Sequence, residues 1–312
     1  MANNSSLVDG ESSRQNKINQ VILAQGLVAV FLFINILQIT TFFMKDFFYT
    51  TMRYILFANT LLSDSLFLIM TSISVILSYF RVASHMWWCL TLFALSSVCN
   101  FVTPVTLTAM TLERYVAICM PLRHGELCST RSALHCIPII YGISSGPVTI
   151  ILLIFFASAT RSLYKEYMIC SAEVILLYTW QKHLRSAISQ FYFLIMLITI
   201  VFSYVNIMKV AKAASGDDKK STQKGLRTVV LHAFQLLLCL IQLWCPFIEA
   251  AVLQINSMLY SDIRYFNYIT FMLAPRCLSP LIYGLRDEKF FLALRHYALC
   301  GLCKNKSPDF FI

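Results

Sequence analysis

Charged residues are scarce in this sequence, and long stretches of it contain none. Only 13% of the residues are charged, whereas a soluble domain carries about 25%. No Asp, Glu, Lys or Arg occurs within residues 18–44, 82–112, 132–160, 186–208 and 228–248. Each of these stretches can cross a hydrocarbon core about 30 Å thick, which takes about 20 helical residues. This distribution excludes a soluble protein.

Two further stretches of similar length carry a single charge each. Residues 54–80 contain only Asp64, and residues 265–285 contain only Arg276. The seven stretches predict an all-α membrane protein, a seven-transmembrane helix bundle over residues 21–285. Residues 1–20 are expected to form an extracellular tail, and residues 286–312 a cytoplasmic amphipathic helix and tail. Acidic residues in the first turn, followed by apolar residues at helical spacing, predict that short inner helix.

The sequence also lacks the usual signatures of an enzyme. It has no His/Glu metal cluster and no glycine loop for a phosphate, so neither a metal nor a cofactor is expected. Gly142, Ser144 and Gly146 have the spacing of a nucleophile elbow, but that motif needs a strand before a helix. Here the residues lie in one apolar helix, which favours a GxxxG packing face over a membrane hydrolase that uses Ser144. No catalytic residue is predicted.

The N-terminal residues lack an apolar leader, so the first span is expected to act as the targeting signal. With the N-terminus outside, most of the 25 basic residues lie on the inner side, as the positive-inside rule requires. The net charge of +10 therefore reflects loop asymmetry rather than nucleic-acid binding. Asn3 and Asn4 each begin a glycosylation sequon in the tail. We predict a multi-pass plasma-membrane protein with an extracellular N-terminus and a cytoplasmic C-terminus.

Two of the 11 cysteines fall in predicted outer loops or at an outer helix end. These are Cys89 and Cys170, and the oxidising exterior favours a disulfide between them, with two free thiols as the alternative. Cys300 and Cys303 have the spacing of a redox motif, but they lie on the cytosolic side without a βαβ pattern. Lipidation of one or both is expected about as readily as an inert role.

The predicted third span ends in an acid–base pair, Glu113 and Arg114. Arg114 lies 25 positions after Cys89, which is about 37 Å of helix, so the two residues lie at opposite membrane faces. Such a pair suits a switch in which Glu113 holds Arg114 until a partner protein receives the guanidinium. The alternative is an ordinary ion pair at the membrane interface.

The run Met110–His124 resembles the MAxDRYVAICxPLxY stretch of odorant receptors, with Glu113 in place of Asp. Further matches follow in the family's order along the chain, at Asn35, Leu61–Asp64, Ser203–Tyr204, Lys224–Thr228 with His232, and Ser279–Tyr283. The ending Pro275–Asp287 is similar to teleost-type odorant receptors in particular. The sequence is thus identified as a member of the rhodopsin-like G-protein-coupled receptors of the odorant type.

This resemblance implies a receptor that binds a small odorant from outside and activates a heterotrimeric G protein of the olfactory, stimulatory type. It implies that coupling and switching depend on Glu113, Arg114, Tyr115, Tyr204, His232, Pro280 and Tyr283. The sequence departs from other rhodopsin-like receptors in three places. It has no CWxP motif in the sixth span, no Trp in the fourth and no Pro in the fifth, and odorant receptors share these absences. Leu240 stands where the family usually has a sixth-span Tyr.

The ligand is expected between the outer halves of the third, fifth, sixth and seventh spans. The candidate residues are Ser96, Ser97, Asn100, Phe101, Tyr192, Leu243, Trp244, Phe247, Ile269 and Met272. Most are apolar or carry a hydroxyl, which suits a small, weakly polar molecule, although each is equally compatible with helix packing. Glu249 is an acid near the cavity mouth, where pairing with Lys or Arg is favoured over an amine ligand.

Asn35, Asp64 and Arg276 are assigned to an inner polar cavity, where the resembling receptors hold sodium. We expect Arg276 to pair with Asp64 and to replace the ion, because charges within a membrane are normally paired or hydrated. In the alternative, Arg276 faces another cavity through water.

Two other functions are compatible with seven spans. A channel or transporter usually shows internal repeats, and the sequence has no self-similar halves. A receptor for a non-olfactory ligand on the same scaffold is the stronger rival.

Overall fold

The computed structural model describes residues 2–160, 163–170, 175–214, 233–278 and 288–298. Almost all of this chain is helical. The helices are α1 (Ala2–Phe43), α2 (Met52–Tyr79), α3 (Met86–Cys119), α4 (Pro121–Leu127), α5 (Thr130–Ser158), α6 (Thr179–Ala214), α7 (Ala233–Gln242), α8 (Cys245–Ile255), α9 (Ser257–Asn267) and α10 (Glu288–Ala298). Short 3-10 helices cover Asp46–Thr50 and Leu163–Lys165, and a π-helix covers Tyr268–Leu273.

Five helices are long and apolar enough to cross a membrane. They are Ile18–Phe43 within α1, then α2, α3, α5, and Thr179–Val210 within α6. Helices α7 and α8 together form a sixth span that bends by 43° at the break between them. The seventh predicted segment begins at the end of α9, continues through the π-helix, and is helical to Leu278, where this described range ends. These helices agree with the predicted bundle.

The molecule exposes large apolar side chains on its outer surface and buries several polar side chains inside. Large apolar residues such as Phe33, Leu153 and Ile198 are about 60% exposed. In contrast, Asn35, Asp64, Thr103, Thr106, Gln235, Gln242 and Arg276 are all buried. This arrangement is the one expected of a helix bundle whose solvent is lipid, since buried polar groups must be satisfied within the bundle.

One end of the bundle, the disulfide end, carries a small two-stranded sheet and a disulfide. Strands β1 (Ala83–His85) and β2 (Tyr167–Ile169) pair antiparallel, with Ala83 opposite Ile169. Cys89 lies one turn into α3 and Cys170 directly follows β2, and the two are joined with a Cα–Cα distance of 5.1 Å. The predicted disulfide is therefore present, and it ties the connection between α5 and α6 to α3.

The opposite end, the Arg114 end, carries α4 and α10. The side chain of Phe290 in α10 is completely buried, with its ring 5.2 Å from Phe48 and 5.6 Å from Phe57. The predicted short inner helix is thus present, and an aromatic cluster holds it against α2 and the turn before α2.

The packing expected at Gly142 and Gly146 is found at only one of them. A methyl group added to Gly146 would lie 3.1 Å from the hydroxyl of Tyr192, whereas one added to Gly142 would have nothing within 4 Å. The prediction of a two-glycine packing face is therefore wrong, because α5 approaches α6 closely only near Gly146.

Candidate functional site

The centre of the bundle holds a buried ion pair between the second and seventh spans. Nη1 of Arg276 lies 2.6 Å from Oδ1 of Asp64, and the side chains are 1% and 0% exposed. The pairing expected from the two lone charges is present. A buried charge is tolerated only when a counterion and hydrogen bonds compensate its lost hydration. The surroundings of Arg276 supply both.

Polar side chains of the third span complete the coordination of the pair. The Thr103 hydroxyl donates to Oδ1 of Asp64 at 2.6 Å and accepts from Nη1 of Arg276 at 2.8 Å. Nη2 of Arg276 donates to Oδ1 of Asn100 at 2.9 Å. The network therefore joins α2, α3 and the seventh span.

An aromatic ring lies against the guanidinium. The Arg276 guanidinium carbon is 3.7 Å from the centre of the Phe67 ring, and such a contact contributes about 2 kcal/mol or more when it is desolvated. Among the described residues, Oδ2 of Asp64 and Nε of Arg276 have no hydrogen-bond partner. The cation is therefore held by one carboxylate, one ring and two neutral acceptors.

Asn35 lies beside this network without joining it. Its side chain is fully buried, and Nδ2 donates to the Ser65 hydroxyl at 3.2 Å. Asn35 therefore links α1 to the residue that follows Asp64 on α2.

The sixth span enters the network exactly where it bends, through Gln242, the last residue of α7. Its Nε2 donates to Oδ1 of Asn100, the same atom that accepts from Arg276. After Gln242 the backbone tightens, because Leu243 N–H donates to Leu240 and Trp244 N–H to Ile241. Pro246 lacks the N–H that would continue the α-helical pattern. The bend and the buried cation thus share one acceptor.

A second amide of the sixth span contacts the seventh. Nε2 of Gln235, which is fully buried, donates to the carbonyl oxygen of Pro275 at 3.2 Å. Because Pro275 precedes Arg276, Gln235 binds the sixth span to the seventh beside the ion pair, whereas Gln242 binds the sixth span to α3. Sequence reasoning missed both, and a Gln seven residues after another in an apolar run is the signal that could have found them.

Part of the predicted ligand set is brought together next to this network. The rings of Phe101 and Tyr192 lie 5.5 Å apart, and Leu243 belongs to the same core cluster. The Tyr192 hydroxyl donates to the carbonyl oxygen of Ile143 at 2.8 Å, so it also ties α6 to α5. Phe101 follows Asn100 and Leu243 follows Gln242 in the sequence, so these apolar residues neighbour the Arg276 network.

Other predicted ligand residues are bonded to the helix backbone or lie at the surface. Ser96 donates to the carbonyl oxygen of Leu92 at 2.7 Å, and Ser97 is half-buried on α3. Trp244 is 44% exposed, and its ring contacts Phe193 and Phe247.

Two further candidates lie on the seventh span. Ile269 packs with Val28 and Leu68 of the first two spans, and Met272 is half-buried. The structure therefore does not place Ile269 with Phe101 and Tyr192.

The disulfide end contains a second charged group. The Arg185 guanidinium carbon on α6 lies 5.8 Å from the centre of the Phe93 ring on α3, and Arg185 interacts electrostatically with Glu249. Oε1 of Glu249 accepts from Nδ2 of Asn267 at 3.1 Å. These contacts link the third, fifth, sixth and seventh spans above the ligand candidates. Sequence reasoning named Glu249 but not Arg185.

At the Arg114 end, Glu113 has a partner that sequence reasoning did not name. Its Oε1 lies 3.4 Å from Nε2 of His124 in α4. The ring of Tyr115 lies 5.7 Å from that of Phe202 on α6. Burial and the Glu113 charge raise the pKa of the nearby Cys128 thiol above its ordinary value, so this thiol stays protonated at neutral pH. Glu113 therefore connects α3 to the α4–α5 junction.

Several predicted residues are not part of this description. His232, Pro280, Tyr283, Cys300 and Cys303 lie outside the described residues. Tyr204 packs against the main core cluster. Asn3 and Asn4 lie at the beginning of α1.

A bundle of membrane-spanning helices, linked by a polar network and closed by a disulfide at one end, defines the class of helical membrane receptors. Residues 34–283 match the family described as 7 transmembrane receptor (rhodopsin family). The chain belongs to the rhodopsin family of seven-transmembrane receptors. It is therefore a multi-pass membrane receptor rather than an enzyme, of the kind that binds ligands and couples to G proteins.

The relatives differ in how much of the chain they cover. Odorant receptor 131-2 of Danio rerio is 41% identical over 289 residues, which are 91% of this chain and 88% of that protein. Galanin receptor 2a of Danio rerio is 24% identical over 201 residues, covering 59% of this chain and 51% of that receptor. Growth hormone secretagogue receptor type 1 of Sus scrofa is 25% identical over 226 residues, covering 64% and 58%. The predicted seven-span fold and family are thereby confirmed.

Proposed function

We propose that this receptor binds a small odorant at the disulfide end and activates a heterotrimeric G protein at the Arg114 end. The observation that carries the proposal is the shared acceptor Asn100. It precedes the ligand candidate Phe101 on α3, and it binds both Arg276 and the bend of the sixth span. A ligand that engages Asn100 competes directly with Gln242 or Arg276.

The proposed orientation follows from placing the ligand at the disulfide end and the G protein at the Arg114 end. The tail over residues 1–20, with glycan acceptors Asn3 and Asn4, is extracellular, as is the Cys89–Cys170 disulfide. The bundle covers residues 21–285. Residues 286–312, with lipid acceptors Cys300 and Cys303, are cytoplasmic. The polar, Asn/Ser-rich N-terminal tail and the basic inner loops support this orientation.

Activation would proceed from the buried network to the G-protein side. Loss of the Gln242–Asn100 hydrogen bond removes a polar link between α7 and α3 at the bend, and the sixth span is then freer to change its bend. At the Arg114 end, separation of Glu113 from His124 releases the end of α3. Arg114 then meets the G protein, with Tyr115, Tyr204, His232, Pro280 and Tyr283 as the remaining coupling and switch residues.

Arg276 takes the role of a permanent internal cation in this scheme. Its guanidinium occupies the position beside Asp64 where the resembling receptors hold sodium, and it uses the carboxylate and Thr103 as partners. We propose that no sodium ion is needed to stabilise the resting receptor, because a protein-borne charge already neutralises Asp64.

The ligand class follows from the chemistry of the site. Phe101, Tyr192 and Leu243 offer apolar surface, and Asn100 offers one polar contact. Such a site favours a small, weakly polar molecule, in keeping with the name of the 41% identical relative. The proposed partner is the olfactory, stimulatory type of Gα subunit.

The test is a cyclic AMP assay in cells that express the receptor with the olfactory Gα subunit, screened against volatile and water-soluble odorants. We expect a dose-dependent signal that Arg114→Ala abolishes. Arg295→Ala, which removes an exposed positive charge from α10, serves as the matched control and should respond normally. Silence of the wild type at confirmed surface expression would contradict odorant coupling through this subunit.

A further inference from the structure

A groove at the Arg114 end opens towards the membrane. It lies between the start of α2 and the junction of α4 with α5, and it has a volume of about 550 Å³. Its lining includes Met52, Leu127, Arg131, His135, Cys136 and Ile139. We call it the Arg131 groove. The hydroxyl of Thr130 donates to the carbonyl oxygen of Thr50 at 2.9 Å, which holds α5 against the segment before α2 and fixes the groove.

The groove lies where the membrane ends. The apolar spans of α2 and α5 begin at Met52 and Thr130, so Arg131 stands at the level of the lipid headgroups. Beside the groove, Leu134 is 61% exposed, and Ile139, which lines it, is 59% exposed. Its open side therefore faces lipid rather than another part of the protein.

The lining changes from cationic to apolar along one face of α5. Arg131, His135 and Ile139 are four residues apart, and residues at this spacing share one face of a helix at steps of about 6 Å. Arg131 makes no ion pair with any of the described residues. The groove therefore presents an uncompensated guanidinium at the headgroup level and an apolar surface deeper in the membrane.

His135 is fixed beside Arg131 by the helix backbone. Its Nδ1 lies 2.7 Å from the carbonyl oxygen of Arg131, and because a carbonyl only accepts, Nδ1 is the donor. Nε2 of the neutral ring is then an acceptor, so His135 lines the groove without supplying a donor to a phosphate. The donors come from Arg131, whose guanidinium binds phosphate oxygens in a bidentate manner.

We propose that the Arg131 groove binds an anionic phospholipid, with its phosphate on Arg131 and an acyl chain along Cys136 and Ile139. The proposal rests on the orientation given above, because the cytoplasmic leaflet carries the anionic lipids. A neutral sterol would leave Arg131 without a counterion, and a free phosphate would leave the apolar half of the groove unused.

The site has a direct connection to the switch at the end of α3. Leu127 lines the groove and belongs to α4, the same short helix that carries His124, the partner of Glu113. A lipid that packs against Leu127 therefore braces α4 in the position that holds Glu113. We expect bound lipid to lower the receptor's basal activity.

The experiment uses purified full-length receptor in nanodiscs of phosphatidylcholine with or without phosphatidylglycerol, and lipids retained on the receptor are counted by native mass spectrometry. Arg131→Gln should reduce retained phosphatidylglycerol about tenfold, the effect of losing a charged hydrogen-bond pair. Arg123→Gln removes the same charge from exposed surface outside the groove and should retain it. Equal retention by the two variants would overturn the proposal.

Two further arms identify the source of the phosphate. Ile139→Ser should also weaken retention, whereas inorganic phosphate and glycerol 3-phosphate should displace the lipid poorly. Full displacement by either soluble anion would show a phosphate site and overturn the lipid proposal. Arg131→Lys keeps the positive charge and serves as the conservative variant. Thermal unfolding of each variant controls for folding. These lipid measurements use no odorant and no G protein. A negative lipid result therefore overturns the lipid site alone, and a silent odorant screen does not bear on the lipid site.

Discussion

Asp64 and Arg276 are the most completely buried charged residues of the described chain, and they form an ion pair with each other. Removal of one partner leaves an uncompensated charge, so we expect Arg276→Gln or Asp64→Asn to lower the free energy of unfolding by about 3–5 kcal/mol. The double variant should recover part of this loss. Thermal unfolding of purified receptor measures each effect, and Lys182→Gln at an exposed position of α6 is the control. Strictly additive losses would contradict a direct pair.

The same pair predicts how sodium affects signalling. The wild-type response should not change when sodium is replaced by an organic cation, since Arg276 already neutralises Asp64. Arg276→Ala should introduce a sodium dependence, because the carboxylate then has room for an ion. A wild-type sodium dependence that Asp64→Asn abolishes would show that Arg276 does not replace the ion.

His124 makes a prediction about the resting state. Its contact with Glu113 spans 3.4 Å and His124 is 38% exposed, so the interaction is screened by water and contributes about 1 kcal/mol or less. His124→Phe should therefore raise basal cyclic AMP by a few fold at most. His183→Phe, an exposed change on α6 at the disulfide end, controls for the added ring. Unaltered basal signalling in His124→Phe would show that the His124–Glu113 contact does not hold the receptor in its resting state.

The predictability of individual residues follows from their chemistry. Asp64 and Arg276 could be paired from the sequence because each is the lone charge of its span. Gln242 and His124 could not be assigned in this way. A neutral amide or an imidazole accepts many partners, and its actual partner depends on the rotation of each helix about its own axis, which a single sequence does not fix.

The bend of the sixth span is the element most directly tied to activation. Pro246 begins α8 and leaves the Gln242 carbonyl without an α-helical donor. Pro246→Ala should straighten the break, raise the unfolding temperature and lower the maximal cyclic AMP response. Pro138→Ala, which changes a proline inside α5, is the matched control and should leave the maximal response unchanged. A straight sixth span with full efficacy would separate the bend from activation.

The contact of α5 with α6 predicts different behaviour for two glycines of the same helix. Gly146→Ala brings a methyl group to 3.1 Å from the Tyr192 hydroxyl, which must move from its bond to Ile143 at a cost of about 1–3 kcal/mol. Gly142→Ala meets nothing within 4 Å and should be neutral. The unfolding temperatures of the two variants test this prediction. An equal decrease in both would support helix packing at both glycines.

At the level of elements, the charge-free runs predicted where helices lie more reliably than how they pack. The break after Gln242 was not predicted, because the sequence from Cys239 to Pro246 lacks the family's usual spacing. The two-stranded sheet of β1 and β2 was also missed, since three-residue strands carry no periodic signal.

For the molecule as a whole, the disulfide joins positions separated by 81 residues. Its loss should cost about 2–5 kcal/mol and reduce surface expression, because the loop between α5 and α6 loses its anchor on α3. The Cys89→Ser/Cys170→Ser double variant tests this by surface labelling. Cys99→Ser, which removes a buried free thiol, is the control. Normal surface levels of the double variant would contradict a structural role.

The global architecture could be predicted from the sequence because a bilayer imposes one length and one polarity on every span. The site could be predicted only in part. Asn100 belongs to the buried network and Phe101 contacts Tyr192, whereas Ile269 packs with the first two spans, and the ligand role of all of them stays a prediction. The missing information is the tilt and rotation of each helix, which packing between spans determines.

The 212 positions between Asp64 and Arg276 have a consequence for biosynthesis. The second span enters the membrane before the seventh has been translated. During that interval Asp64 lies in the membrane without the Arg276 guanidinium. Translocation of Arg276 later carries its own penalty of about 2.5–3.5 kcal/mol at the membrane centre. Neither cost is relieved until the first and last parts of the bundle meet. The ion pair can therefore form only in a chain that has been translated through the seventh span, and a chain that stops earlier keeps Asp64 without its cation.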